Sequence, residues 1–72
     1  MTARDLVRQC LDAPALLDAI ADGDDLMAHG VNSGEIIRIA LDCERRIGRM
    51  LTDEELTELS TVDGIAKLIG KG

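Results

Sequence analysis

Seventy-two residues without a Phe, Tyr or Trp make one small domain, 1–72, whose core must come from ten Leu, seven Ile and three Val, and a domain of that size buries only about 60% of the surface its unfolded chain exposes. A formal charge of −6 and the lack of aromatic rings exclude nucleic acid as a partner, because phosphate binding draws on clustered Lys and Arg and single strands stack on rings. With no apolar run near the roughly 20 residues of a membrane span and no apolar leader behind Met1, the chain reads as a cytoplasmic protein with no membrane partner.

Thr2 with Asp5 three residues on is a variant capping box, and Leu6, Val7, Cys10 and Leu11 follow at helical spacing, which predicts a first helix over about 2–12. Pro14 suits the start of a short helical turn carrying Leu16, Leu17 and Ile20, and Asp22-Gly23-Asp24-Asp25 breaks it. Leu26-Met27-Ala28-His29-Gly30-Val31-Asn32-Ser33 reads as a loop. A second helix runs from Ser33 or Gly34 to about Arg49, weakened at Gly48. Wound at 3.6 residues per turn, it sets Ile36, Ile39, Ala40, Cys43, Ile47 and Met50 on one core-facing seam. Thr52 opens a short third helix with Glu55 completing a capping box, and Leu56 and Leu59 form its buried pair. Ser60 or Thr61 caps a fourth helix that ends in Gly70. Nothing alternates with period two, so the fold class is all-α, a small four-helix bundle with a long first loop and a short third helix. Cys10 and Cys43 lack CxxC spacing and read as small core residues, kept as thiols in a reducing compartment.

The chemistry concentrates at the head of the second helix. Taken alone, Ser33 is a helix cap, but it is also an exposed hydroxyl at a helix N-terminus, where unpaired backbone N–H groups and partial positive charge favour an attached anion. Ile37 and Leu41 follow it at i+4 and i+8, well off the core seam. They form a strip on the solvent side, or else pack beneath the first loop. Residues 33–50 hold Arg38, Arg45, Arg46 and Arg49 against Glu35, Asp42 and Glu44, a net of +1, while the rest of the chain carries −7. Pairs such as Asp42 with Arg46 would add only tenths of a kcal/mol. His29 is the sole histidine and has no acid at useful spacing, and no nucleophile–base pair, metal-ligand cluster or phosphate loop is present, so an enzyme is not expected.

The run Gly30-Val31-Asn32-Ser33, the helix behind it, and the tail Leu51-Thr52-Asp53-Glu54-Glu55-Leu56 followed by Leu59-Ser60-Thr61-Val62 and Asp63–Ile69 resemble acyl and peptidyl carrier proteins over nearly the whole chain. The resemblance implies the acyl-carrier bundle, with Ser33 carrying a 4'-phosphopantetheine arm that holds an acyl or aminoacyl group as a thioester. It implies as partners a phosphopantetheinyl transferase, a loading enzyme (an adenylating enzyme or an acyltransferase) and a downstream synthase or transferase, met in turn by a monomer. Partner contacts would fall on Asn32, Gly34, Glu35, Ile37, Arg38, Leu41, Glu44 and Arg45, with Glu35 and Glu44 as the acidic ones. Two positions depart from the family pattern: Asn32 stands where Asp is usual, and Gly34 where Leu or a similar apolar residue is usual. The family commonly makes this helix acidic, so four arginines imply dedicated partners with acidic spots. A chain from Met1 to Gly72 reads as a discrete carrier, in a polyketide or mixed polyketide and nonribosomal peptide pathway. The competing expectation is an unmodified helical interaction module that binds a protein through the second helix.

Overall fold

The computed structural model describes residues 2–70, and among them the chain forms four α-helices joined by 3₁₀ turns, with no strand. Met1, Lys71 and Gly72, the ends of the domain expected over 1–72, lie outside the described residues. Helix α1 spans Ala3–Cys10; the Thr2 hydroxyl accepts from the Asp5 N–H and the Asp5 carboxylate accepts from the Thr2 N–H, each at 3.1 Å. It stops short of the expected residue 12 because Leu11 turns to extended backbone and the Asp12 N–H goes to the Glu35 carboxylate instead of to a helical carbonyl.

Pro14–Ala19 forms a 3₁₀ turn with proline at its first position, and Met27–His29 forms a second one inside the segment expected to be loop. Helix α2 spans Ser33–Ile47 and ends at Gly48, whose left-handed backbone (φ 77°) lets its N–H reach the Glu44 carbonyl at 2.9 Å. Helix α3 spans Asp53–Leu56 under the expected Thr52–Glu55 capping box and passes into a third 3₁₀ turn, Thr57–Ser60. Helix α4 spans Val62–Gly70, and the Thr61 hydroxyl, accepting from the Gly64 N–H at 2.9 Å, caps it.

Helices α1, α2 and α4 pack on one another around Leu6, Val7, Ile39, Cys43, Ile65 and Leu68, all buried. Two expected core positions face outward. Met50 is 80% exposed, because the turn at Gly48 takes the chain out of helical register before it, and Leu51 enters the core instead. Leu56 is 44% exposed, since α3 gives way to a 3₁₀ turn there and the changed spacing leaves Leu59 alone pointing inward. Both cysteines are buried free thiols, as expected.

The long connection from α1 to α2 is tied into the bundle. Leu17, Ile20, Leu26 and Val31 are buried. The Arg4 guanidinium donates to the carbonyls of Leu17 at 3.0 Å and Ile20 at 2.8 Å and pairs with Asp22. Farther along, the Leu26 N–H donates to the Ser60 carbonyl at 2.8 Å and the Asp63 N–H to the Asp22 carbonyl at 2.9 Å. These ties deliver the end of the connection to the head of α2 in a set position.

Candidate functional site

Ser33 is the first residue of α2 and is exposed. The cap is its neighbour: Asn32 keeps extended backbone, and its side-chain oxygen accepts from the Glu35 N–H at 2.8 Å, while the Glu35 carboxylate returns a bond from the Asn32 N–H at 3.1 Å. An amide oxygen does here what an aspartate would do. Ser33 is thereby relieved of capping, and it opens a first turn in which the helix has no carbonyl to offer the N–H groups of Ser33 and Gly34. A negatively charged group on Ser33 Oγ would sit in the favourable field of the helix end.

The approach to the serine is equally constrained. Gly30 adopts φ 101°, a conformation that side chains strain to reach. Its N–H donates to the Met27 carbonyl at 3.2 Å, and the Val31 N–H to the Leu26 carbonyl at 3.1 Å, with Leu26 and Val31 anchored in the core. On the other side, a Cβ at Gly34 would lie 3.3 Å from Asn32 Oδ1. Glycine after the serine therefore leaves the capping amide undisturbed.

Glu35 is the main correction among the expected partner contacts. It is only 5% exposed, and its carboxylate also accepts from the Asp12 N–H at 2.8 Å, so it ties the end of α1 to the head of α2 and is not presented to a partner. Glu44 is half-buried, and its carboxylate accepts from the Leu51 N–H at 2.9 Å, which turns it toward the α2–α3 junction. Arg38 lies exposed but is engaged, donating to the Cys10 carbonyl at 3.2 Å and to Asp12 at 2.9 Å. Asp42 pairs with Arg45 at 3.6 Å and not with Arg46, its other oxygen accepting from the Cys10 thiol. Arg49 forks onto Glu55 with two bonds of 2.7 Å, and those bonds, with the Thr52 N–H, hold the Glu55 carboxyl down at about 2.

Ile37 and Leu41 are 61% and 50% exposed, so they do not pack beneath the first loop. With Ser33 and Gly34 they line the outward side of α2, and Arg45, 78% exposed, continues it. His29 turns to its own segment, with Nδ1 at 3.0 Å from the Asp25 carbonyl and Nε2 at 3.8 Å from Asp24. Among the described residues no group of three His, Cys, Asp or Glu is placed to hold a metal, and no helix is long and apolar enough to cross a membrane. The Asn32–Glu35 box is missed when Ser33 is taken as the cap, although its i,i+3 spacing is a local signal; the Glu35–Asp12 tie and the Arg4 fork span 23 and 13 to 18 residues and leave no local signal.

A family model described as a phosphopantetheine attachment site matches residues 3–69, nearly the whole chain. No curated protein and no solved structure matches it.

Proposed function

Since the chain belongs to the phosphopantetheine attachment family, whose members carry 4'-phosphopantetheine covalently, we propose that Ser33 is its attachment point and that it shuttles an acyl or aminoacyl group between separate enzymes. The observation that carries this reading is the exposed Ser33 hydroxyl at the first position of α2, released from capping by Asn32. When bound, the arm supplies a terminal thiol on which a carboxylic acid is held as a thioester. The chain's own residues position it. Asn32 and Glu35 fix the first turn, the backbone N–H groups of Ser33 and Gly34 would be the donors at hand for an attached phosphodiester, and Leu26 and Val31 hold the preceding turn against the core.

A carrier of this family meets a phosphopantetheinyl transferase and enzymes that load and unload it. The chain performs no chemistry on its cargo in this reading; the loading enzyme, an adenylating enzyme or an acyltransferase, and the accepting synthase or transferase supply it. The departures at Asn32 and Gly34 and the arginines of α2 favour dedicated partners, which supports a place in polyketide or mixed nonribosomal peptide assembly. The test is intact-protein mass after incubation with coenzyme A and a broad-specificity transferase. One phosphopantetheine increment on the wild type and none on Ser33→Ala is the expected result. No increment with that enzyme or with the transferases of the source organism would overturn the proposal in favour of an interaction module.

A further inference from the structure

Helix α1 runs out of helical donors for its last carbonyls and passes to extended backbone at Leu11. Side chains of α2 grip this exit. Arg38 Nη1 donates to the Cys10 carbonyl at 3.2 Å and to the Asp12 carboxylate at 2.9 Å, Glu35 accepts from the Asp12 N–H at 2.8 Å, and Asp42 accepts from the Cys10 thiol at 3.2 Å. The three stand at i, i+3 and i+7, on one side of the helix. Glu35 alone reaches in both directions: its other oxygen accepts from the Asn32 N–H at 3.1 Å, and its own N–H is the donor that Asn32 caps at 2.8 Å. A continuous chain of bonds therefore runs from Arg38 through Asp12 and Glu35 to Asn32, the residue that precedes Ser33.

We propose that Arg38, expected from the sequence to meet a partner, is instead a positioning residue for Ser33 that acts through Asp12 and Glu35. This rests on the carrier reading above, which gives the Ser33 turn its task. The Glu35 carboxylate is buried with one oxygen on each of two N–H groups, so it keeps its place only while the α1 exit supplies the Asp12 N–H. Once the exit lifts, Glu35 is solvated and free to turn, and the Asn32 N–H loses its acceptor. Arg38 holds the exit at two further points. Both of its bonds leave one nitrogen, so a cation at that place suffices and the guanidinium fork is not required.

Amide exchange on the full chain without the arm tests the chain of bonds. Terminal turns open at low cost, and exposed charge pairs shift such openings by several fold, so in Arg38→Ala the Asp12 and Asn32 N–H groups should exchange about fivefold faster. The amides of Val7 and Leu68, in the core, should not move. Arg38→Lys should return to within about twofold of wild type, since an ammonium can replace the one nitrogen. Asp12→Ala removes one of the two acceptors and should give a smaller rise, and adding it to Arg38→Ala should change nothing further. Arg46→Ala, at an exposed position of the same helix, should leave Asn32 at the wild-type rate. In transfer of the arm from coenzyme A by the transferase of the source organism, Arg38→Ala should lower kcat about twofold with KM held. An Asn32 amide at the wild-type rate in Arg38→Ala, a rise shared by Val7 and Leu68, or a KM raised on the order of tenfold, as loss of a partner contact would give, overturns the inference and leaves the carrier reading intact. A wild type that never gains the arm overturns the carrier reading and the role of Arg38 with it, even where the amides behave as expected.

Discussion

Glu35→Gln replaces one of the two carboxylate oxygens that hold the Asn32 and Asp12 N–H groups by an NH₂ that can hold neither. Hydrogen bonds to a charged acceptor contribute about 1.5–3 kcal/mol each, and because Asn32 and Asp12 are at the surface, where water recovers part of the loss, the lower end applies. The change should cost about 2 kcal/mol, and Glu35→Ala, which loses both bonds, about 3 kcal/mol. A domain of this size has a total stability of about 4–10 kcal/mol, so either loss is a large fraction. With about 4–8 °C per kcal/mol at this length, Glu35→Gln should lower Tm by about 8–16 °C. Thermal melting by circular dichroism reads it, beside Glu54→Gln, an exposed acid whose replacement should stay within about 0.5 kcal/mol. Amide exchange localises it: the Asp12 and Asn32 N–H groups should lose protection first. Were Glu35→Gln to melt with Glu54→Gln and leave the Asp12 amide protected, the buried carboxylate would not be what ties α1 to the head of α2.

Gly64→Ala should be among the most damaging single-methyl changes available, since the added Cβ would sit 2.0 Å from the Glu58 carbonyl oxygen; overpacking against backbone should cost about 3 kcal/mol or more, whereas Gly70→Ala, with nothing within 4 Å, should leave the melt unchanged or raised. Glu55 titrates at about 2 when folded, against 4.5 for the free side chain. Its folded value is the lower one, so its contribution is complete above about 4.5 and is lost as pH falls from there toward about 2. Urea titrations stepped through that window should show stability falling with acid, and Arg49→Gln should flatten the slope; an unchanged slope would refute the assignment to the Arg49 fork. Burial pushes the thiols of Cys10 and Cys43 up to about 12 and about 11, so neither should react with iodoacetamide in the folded protein at mildly alkaline pH. Mass spectrometry should find both labelled once denaturant is added.

The parts of the fold that depend on neighbours in sequence were legible. The boxes at Thr2 and Asp5 and at Thr52 and Glu55 close over three residues, and the glycine stop at Gly48 acts where it stands. Errors arise where local geometry changes within an element. A helical wheel run past Gly48 put Met50 in the core, and one run past Leu56 ignored the tightening to a 3₁₀ turn. At the site, Ser33 and the outward strip of Ile37 and Leu41 could be read from spacing, whereas the division of labour between Asn32 and Ser33 has a single local sign, Glu35 at i+3 from Asn32. Both residues are good caps, and the choice falls to the one with extended backbone, which Gly30 and Val31 impose from behind.

Charge illustrates why a count of residues under-determines a surface. Residues 33–50 contain four arginines and three acids whichever way they point. The acids turn inward because the fold leaves polar hydrogens there without partners: the Asp12 N–H just beyond α1, the Leu51 N–H just beyond the turn at Gly48, and the Cys10 thiol between α1 and α2. A donor partly shut off from water and left unpaired costs toward the lower end of about 1–3 kcal/mol, and the side chains of α2 are the ones within reach. Arginine has no acceptor to offer those hydrogens, and its long stem carries the charge to the surface, where Arg38 meets Asp12 and Arg49 meets Glu55. The same demand that closes the bundle thus draws the carboxylates of α2 inward, onto the N–H groups and the thiol that the turns leave behind.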